Sequence, residues 1–326
     1  MKVFVAGATG AIGKQLIPLL VEAGHTVTAT TRHRDKAEWI RNNGATPVVM
    51  DALNATEVRQ VVERAKPDVL IHELTAIPSQ FNLRRFDDAF SSTNRLRREG
   101  TDNLLAAARS AGVRRFIAQS YAGWPYARTG GWVKSEEDPL LTVAEPAMRQ
   151  TLEAIRHLES AVLEAPAIEG VVLRYGGFYG PGTSLGKGGS FTEDIQRGRV
   201  PIVGDGAGLW SFVHIHDAAT ATLAAVATGD PGIYNVVDDE PAPVSAWLPY
   251  LARVLGAKPP RHVPVWLGRM AVGSHGVAMM TQIRGASNDK AKSRLHWRLQ
   301  WPSWRQGFQQ TLSNGATPYF ALRKAG

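Results

Sequence analysis

The chain contains no cysteine in 326 residues. Disulfide staples, thiolate nucleophiles and zinc–sulfur centres are thereby excluded, and the composition fits a reducing compartment. Long apolar runs are lacking too. The most apolar C-terminal stretch, Val263 to Met280, is interrupted by Arg269 and His275 and carries Pro264, Gly268, Gly273 and Gly276, so no membrane span is expected. Met1-Lys2-Val3-Phe4-Val5-Ala6-Gly7 enters a strand at once, without an apolar core of signal-peptide length, and a soluble cytoplasmic protein is the expectation. There is no long run of one charge sign. The net charge of +8 comes from 37 basic against 29 acidic residues, but basic pairs such as Arg84-Arg85 and Arg97-Arg98 are scattered. A solvated surface with a site for an anionic cofactor accounts for that balance, and nucleic acid is not an expected partner.

What is present is an ordinary globular composition, 44% apolar and 20% charged, with no internal repeat. In the first half, short apolar runs alternate with amphipathic stretches, the pattern of βαβ units around a parallel sheet. Strands are predicted at residues 2–6, 26–30, 46–50, 69–72, 115–119 and 170–174, with helices at 12–23, 36–43, 55–64, 94–111 and 146–164. The last of these carries Met148, Leu152, Ile155, Leu158 and Val162 at helical spacing. The expected fold is α/β, a Rossmann-type doubly wound sheet over residues 1–170. Residues 171–326 then form mainly a smaller, interleaved substrate lobe, with segments at about 211–237 returning to the sheet. A strand is predicted at 211–215, and helices at 244–255 and 264–283, the latter broken near Gly273–Gly276.

The strand at 2–6 runs into Gly7-Ala8-Thr9-Gly10-Ala11-Ile12-Gly13 and then a helix. Gly7 permits a tight turn, Gly10 lets backbone approach a pyrophosphate, and Gly13 allows close helix–strand packing. The free N–H groups of the helix N-terminus suit phosphate. After the second strand, where an acidic residue would hold ribose hydroxyls, the chain reads Thr31-Arg32-His33-Arg34. Arg32 or Arg34 can pair with a 2′-phosphate, so NADP(H) is the expected cofactor, with NAD(H) the alternative.

With these residues in view, the chain resembles the extended and atypical short-chain dehydrogenase/reductases, the NAD-dependent epimerase/dehydratase type. Asp51-Ala52-Leu53 is similar to the segment that contacts adenine in that family, and Leu74-Thr75-Ala76 to the one that passes ribose and pyrophosphate. Asn94 followed by Gly100-Thr101 and Asn103-Leu104-Leu105 resembles its central helix. Leu173-Arg174-Tyr175 with Tyr179-Gly180-Pro181-Gly182, Phe212-Val213-His214-Ile215-His216-Asp217 and Tyr234-Asn235-Val236-Val237-Asp238 resemble its later landmarks. Lys290-Ala291-Lys292 and Leu295-His296-Trp297 resemble its closing motif, with His296 in place of glycine. His214 and His216 share one strand face, but no third ligand accompanies them, and no metal is expected.

Catalysis in that family needs a tyrosine with a lysine four residues later. None of the seven tyrosines here has one, and the matching positions hold Thr151 and Ile155. Tyr121 stands where the resemblance implies a catalytic Ser/Thr, preceded by Ser120. These two are the expected catalytic candidates, with Tyr126 and Lys134 behind them. The positions that would clamp a nucleotide-sugar diphosphate look like Gly177 and Trp210, which argues against such a substrate. Trp124, Phe178 and Trp210, with Gly177, are instead expected to line an apolar cavity, joined by Trp132, Met279 and Met280. The resulting expectation is an oxidoreductase for a small, rather apolar carbonyl or alcohol. The alternatives are a non-catalytic dinucleotide sensor and, behind it, a nucleotide-sugar epimerase. Homodimerisation through the helices from Asn94 and Pro146 is a further expectation.

Overall fold

A computed structural model describes residues 1–78, 80 and 82–313. Seven parallel strands form the central sheet: β1 (Lys2–Ala6), β2 (Thr26–Thr31), β3 (Thr46–Val49), β4 (Val69–His72), β5 (Arg115–Tyr121), β6 (Glu169–Tyr175) and β7 (Gly232–Val236), in the order β7-β6-β5-β4-β1-β2-β3. Winding runs from β1 out to β3, then returns to the other side of β1. The resulting switch between β1 and β4, where Val5 pairs with Ala29 on one side and Ile71 on the other, opens a crevice at the carboxyl ends of the strands.

The sheet is buried on both faces, and period-two alternation assigns each residue its layer. Val3 and Val5 pack with Leu16, Ile17 and Leu20 of α1 (Ala11–Glu22), in a layer that ends on Ala218 and Val226. Phe4, Leu70 and Phe116 face the opposite layer, with Val58, Val62, Leu104 and Val162. The chain between these layers contributes α2 (Ala37–Asn42), α3 (Ala55–Ala65), α4 (Phe86–Arg95), α5 (Thr101–Ser110) and α6 (Arg149–Leu163). Later come α7 (Ser190–Gln196), α8 (Ile215–Ala227), α9 (Val244–Val254), α10 (Val265–Thr281), α11 (Asp289–Arg294) and α12 (Trp304–Leu312). A separate aromatic core, with Phe212, Trp247, Trp304 and Phe308, packs α9 and α12 against Tyr179 and Phe212.

Several sequence expectations shift. The helix predicted from residue 94 starts at Phe86, because Phe86, Phe90 and Thr93 already form a buried stripe, and a π turn, Leu96–Gly100, separates α4 from α5. The strand predicted at 211–215 is Phe212–His214, which pairs with Gly177–Tyr179 outside the main sheet. The seventh sheet strand is β7, which the predicted strand list omits. The break in α10 falls at Gly273, whose φ of 74 is left-handed. His296 also has a positive φ, 52, which explains why the resembling motif carries glycine there. The apolar stripe of α6 is buried within the chain, so it offers no argument for a dimer. Among the described residues no helix is long and apolar enough to cross a membrane.

A buried polar chain ties the strand ends together. Arg174 on β6 donates through Nε and Nη2 to the two oxygens of Glu159 on α6, at 2.8 and 2.6 Å. Ser120 on β5 donates to the same carboxylate at 2.6 Å. Arg174 Nη1 reaches the Tyr126 hydroxyl at 3.0 Å, which donates to Asn235 of β7 at 2.6 Å. Because the paired side chains are only 4% and 7% exposed, removing one partner strands a charge out of water. Glu159→Ala is expected to lower unfolding stability by about 3–5 kcal/mol, read by urea denaturation. A methionine at both Glu159 and Arg174 should restore much of the loss. Equal stabilities for wild type and single variant would refute the assignment.

Candidate functional site

The β1–α1 turn forms one wall of the crevice. Gly7 has φ of 101, and a Cβ there would lie 2.6 Å from the Glu73 carbonyl oxygen, so β1 and β4 close up only with glycine at this position. A Cβ on Gly13 would meet Ala8 backbone at 2.5 Å, which lets α1 begin directly against the turn. Gly10 N-caps α1 without a side-chain cap, and no acidic residue occupies the first turn. The backbone N–H groups of Ala11, Ile12 and Gly13 are therefore available to an anion at the positive end of the helix. This cradle fits the pyrophosphate of a dinucleotide.

The groove in front of the turn encloses about 190 Å³, with Gly7, Thr9, Gly10, Ala52, Leu74 and Thr75 in its walls. Its far end carries Arg32, His33 and Lys36, beside the buried Thr31, whose hydroxyl accepts from the His33 N–H at 3.1 Å. Arg34 sits in the following 3-10 turn and is not part of this lining. His33 and Lys36 escape a reading of the sequence that looks for guanidiniums alone. Asp51 is exposed, accepting from the Leu53 N–H at 3.0 Å, while the Ala76 N–H donates to Thr93 at 3.0 Å. Asn94 is buried on α4, donating through Nδ2 to Thr151 at 2.9 Å.

Ser120 and Tyr121 point to opposite sides of β5, as strand geometry requires. Ser120 is committed to Glu159, whereas Tyr121 packs into an aromatic cluster with Phe86, Phe90, Trp124 and Ile155. Burial pushes the Tyr121 phenol up to about 12, so it stays protonated through the physiological range. Thr151 donates to Asp87 at 2.6 Å, which also caps α6 through the backbone N–H groups of residues 150 and 151. Ile155, one turn on, is buried in the same apolar cluster. Tyr126 is tied into the Arg174 network, and Lys134 donates to Thr129 and Asp138. Trp124 and Trp210 reach the aromatic cluster. Phe178 does not: with Gly177 it lies on the short strand beside Phe212, packing against Tyr175 at a ring separation of 5.3 Å. His214 and His216 serve local structure, His214 Nδ1 accepting from the His216 N–H at 3.2 Å.

Glu73, which in the sequence is no more than a polar residue at a strand end, stands on the groove floor directly after β4. One carboxyl oxygen accepts from the Tyr175 hydroxyl at 3.0 Å, and the other is buried without a partner. Burial raises its pKa from 4.5 to about 8, with the Tyr175 hydrogen bond opposing. The neutral acid is therefore the folded form near pH 7. Stability should fall as pH climbs from about 4.5 to about 8 and level off above, since the unfolded state ionises first. Each unit in that window is worth about 1.4 kcal/mol at most. Glu73→Gln should flatten the slope in melting experiments. Parallel wild-type and variant profiles would exclude a buried neutral carboxyl.

The sequence description of the NAD-dependent epimerase/dehydratase family matches residues 3–236. A 3-diazoavenalumate denitrifying reductase from a Streptomyces species is 42% identical over 310 residues, covering 94% of this chain and 99% of that protein. A quinoline-oxide ketoreductase of Stigmatella aurantiaca is 28% identical over 79% of this chain and 74% of its own length. Among solved structures, the UDP-glucose 4-epimerase of Thermotoga maritima with UDP-glucose superposes with a TM-score of 0.73, at 23% identity over 95% of this chain and 97% of that one. The Thermus thermophilus epimerase, solved with NAD, gives 0.72 at 21% identity, over 95% and 97%. These relatives stand with enzymes and not with the sensor alternative. The chain belongs to the NAD-dependent epimerase/dehydratase family, as an NAD(P)-dependent oxidoreductase of the extended short-chain dehydrogenase type.

Proposed function

We propose that this chain is an NADP(H)-dependent reductase of an aromatic substrate, and that an aromatic diazo group is the function it reduces. The carrying observation is the absence of an acid–base couple where the family places one. Thr151 is tied to Asp87, Ile155 is buried among aromatic rings, and Ser120 is held by Glu159. A ketone reduced here would become an alkoxide, which needs a proton as it forms. Bound in the groove, a reduced nicotinamide dinucleotide would supply hydride; an aromatic diazonium reduced in this way would lose dinitrogen and become the arene, with no proton to deliver. The residues then have simpler tasks. The α1 N-terminus and the Arg32–Lys36 end hold the dinucleotide, while Phe86, Phe90, Trp124 and Tyr121 orient an aromatic ring and exclude water. The diazo reading draws on the Streptomyces relative, similar along almost its entire length.

Two outcomes are expected. NADPH should bind more tightly than NADH by calorimetry, because Arg32, His33 and Lys36 end the groove with no carboxylate among them. Arg32→Ala should narrow the gap, and equal affinities in the wild type would refute the preference. With an arenediazonium, NADPH oxidation should match dinitrogen release and formation of the des-diazo arene. Tyr121→Phe should retain that turnover within a few-fold, whereas a carbonyl reductase using this phenol would lose about 10²–10⁴-fold. Turnover of ketones but not of diazonium compounds would overturn the reading.

A further inference from the structure

The aromatic cluster has a polar end that the reaction above does not use. His275 on α10 is only 2% exposed, and its ring stands edge-on to Phe86 at 5.2 Å and to Trp124 at 5.8 Å. Neither ring nitrogen has a hydrogen-bond partner. A buried imidazole left this way loses the hydration of both nitrogens without replacement, a cost on the order of 1–3 kcal/mol for each group. Arg128 approaches the same place from the loop after β5, paired with Glu145 at 2.6 Å and donating to the Gln282 side chain at 3.0 Å. Arg284 adds a second guanidinium, stacked 3.9 Å from the Trp132 ring centre and donating to the Arg128 carbonyl.

The Nε atoms of both arginines are buried without acceptors. Among the described residues, three side chains thus hold unused donors beside the aromatic cluster, with Arg284 joined to it through Arg128. Two guanidiniums against one carboxylate leave that end with one net positive charge. We propose that this is an acid-binding subsite, at which Arg128, Arg284 and His275 take the carboxylate of an aromatic acid whose ring lies against Phe86 and Trp124. The inference rests on the reductase reading for its ring position. The charge balance and unused donors come from these residues alone. Guanidiniums suit a carboxylate because the planar fork matches its two oxygens. A neutral ring of the same shape would leave every one of these donors unpaired.

The test is direct binding, independent of turnover. With NADP⁺ present, 4-hydroxycinnamate should bind about 10–100-fold more tightly than its methyl ester by calorimetry, the worth of hydrogen bonds to a charged group. Arg128→Gln should erase that ratio. Because the single change strands Glu145, the double variant Arg128→Gln/Glu145→Gln provides a charge-balanced control, whose melting temperature reports folding and whose ratio should also collapse. Acid and ester binding equally, or no binding of the acid at millimolar concentration, overturns the subsite. A strong preference for the acid in a protein that reduces no diazonium compound would sustain the subsite while removing the proposed reaction.

Discussion

The ion pair between Glu159 and Arg174 is the constraint on which the working end of this protein depends. It sits where β5, α6 and β6 meet, out of water, and both carboxylate oxygens are used. Buried pairs seldom add net stability, because desolvation offsets attraction. Their effect here is geometric. A carboxylate with fixed donors cannot slide along the helix, so α6 is held in one rotation against the sheet. With Glu159 facing inward, residues one and two turns earlier, Ile155 and Thr151, must face α4 and the aromatic cluster. Ser120 is drawn to the same carboxylate, and strand alternation then delivers Tyr121 to the aromatic cluster.

That arrangement separates two kinds of environment. The dinucleotide groove is lined by backbone N–H groups and cations, with one carboxyl, Glu73, that burial keeps neutral near pH 7. An ionised Glu73 would oppose phosphate nearby, so its high pKa removes a repulsion that its identity suggests. The cluster around Tyr121 is aromatic, and burial keeps the Tyr121 phenol protonated through the physiological range. On the proposed reading, hydride transfer beside this cluster would favour acceptors that are already electrophilic, since polarising a carbonyl requires a strong donor. On that reading a carbonyl substrate would rely on the Tyr121 phenol, whose pKa burial raises to about 12.

Much of the fold was legible because its signals are local. The glycine turn at residues 7–13 announces itself by spacing, and the apolar alternation of β1 to β6 is strong. Features that depend on distant partners were not legible. Glu73 reads as an ordinary polar residue after a strand until Tyr175, more than a hundred positions later, is placed against it. Ser120 looks available until Glu159 claims its hydroxyl. Phe178 reads in sequence as a neighbour of Trp124, but its short strand pairs with Phe212–His214 and turns it towards Tyr175. The early start of α4 was hidden because Asn94 drew the boundary, although Phe86 and Phe90 already had helical spacing. His296 shows the converse, a departure visible in sequence whose cost, a left-handed backbone on a residue with a Cβ, only the structure explains.

The polar end of the aromatic cluster also depends on distant partners. Arg128 and Glu145 lie on the two sides of the loop between β5 and α6, while His275 and Arg284 come from α10 and the segment after it. No local pattern joins them, and each alone reads as a surface or core residue. Their meeting requires α10 to bend, and the bend at Gly273 lies two residues before His275, where φ of 74 reverses the helix path. A straight helix would carry the imidazole along a different line from that set by the segment before the kink. The left-handed glycine is thus the local condition for a long-range arrangement, and it links the path of α10 to the charged groups beside the aromatic cluster.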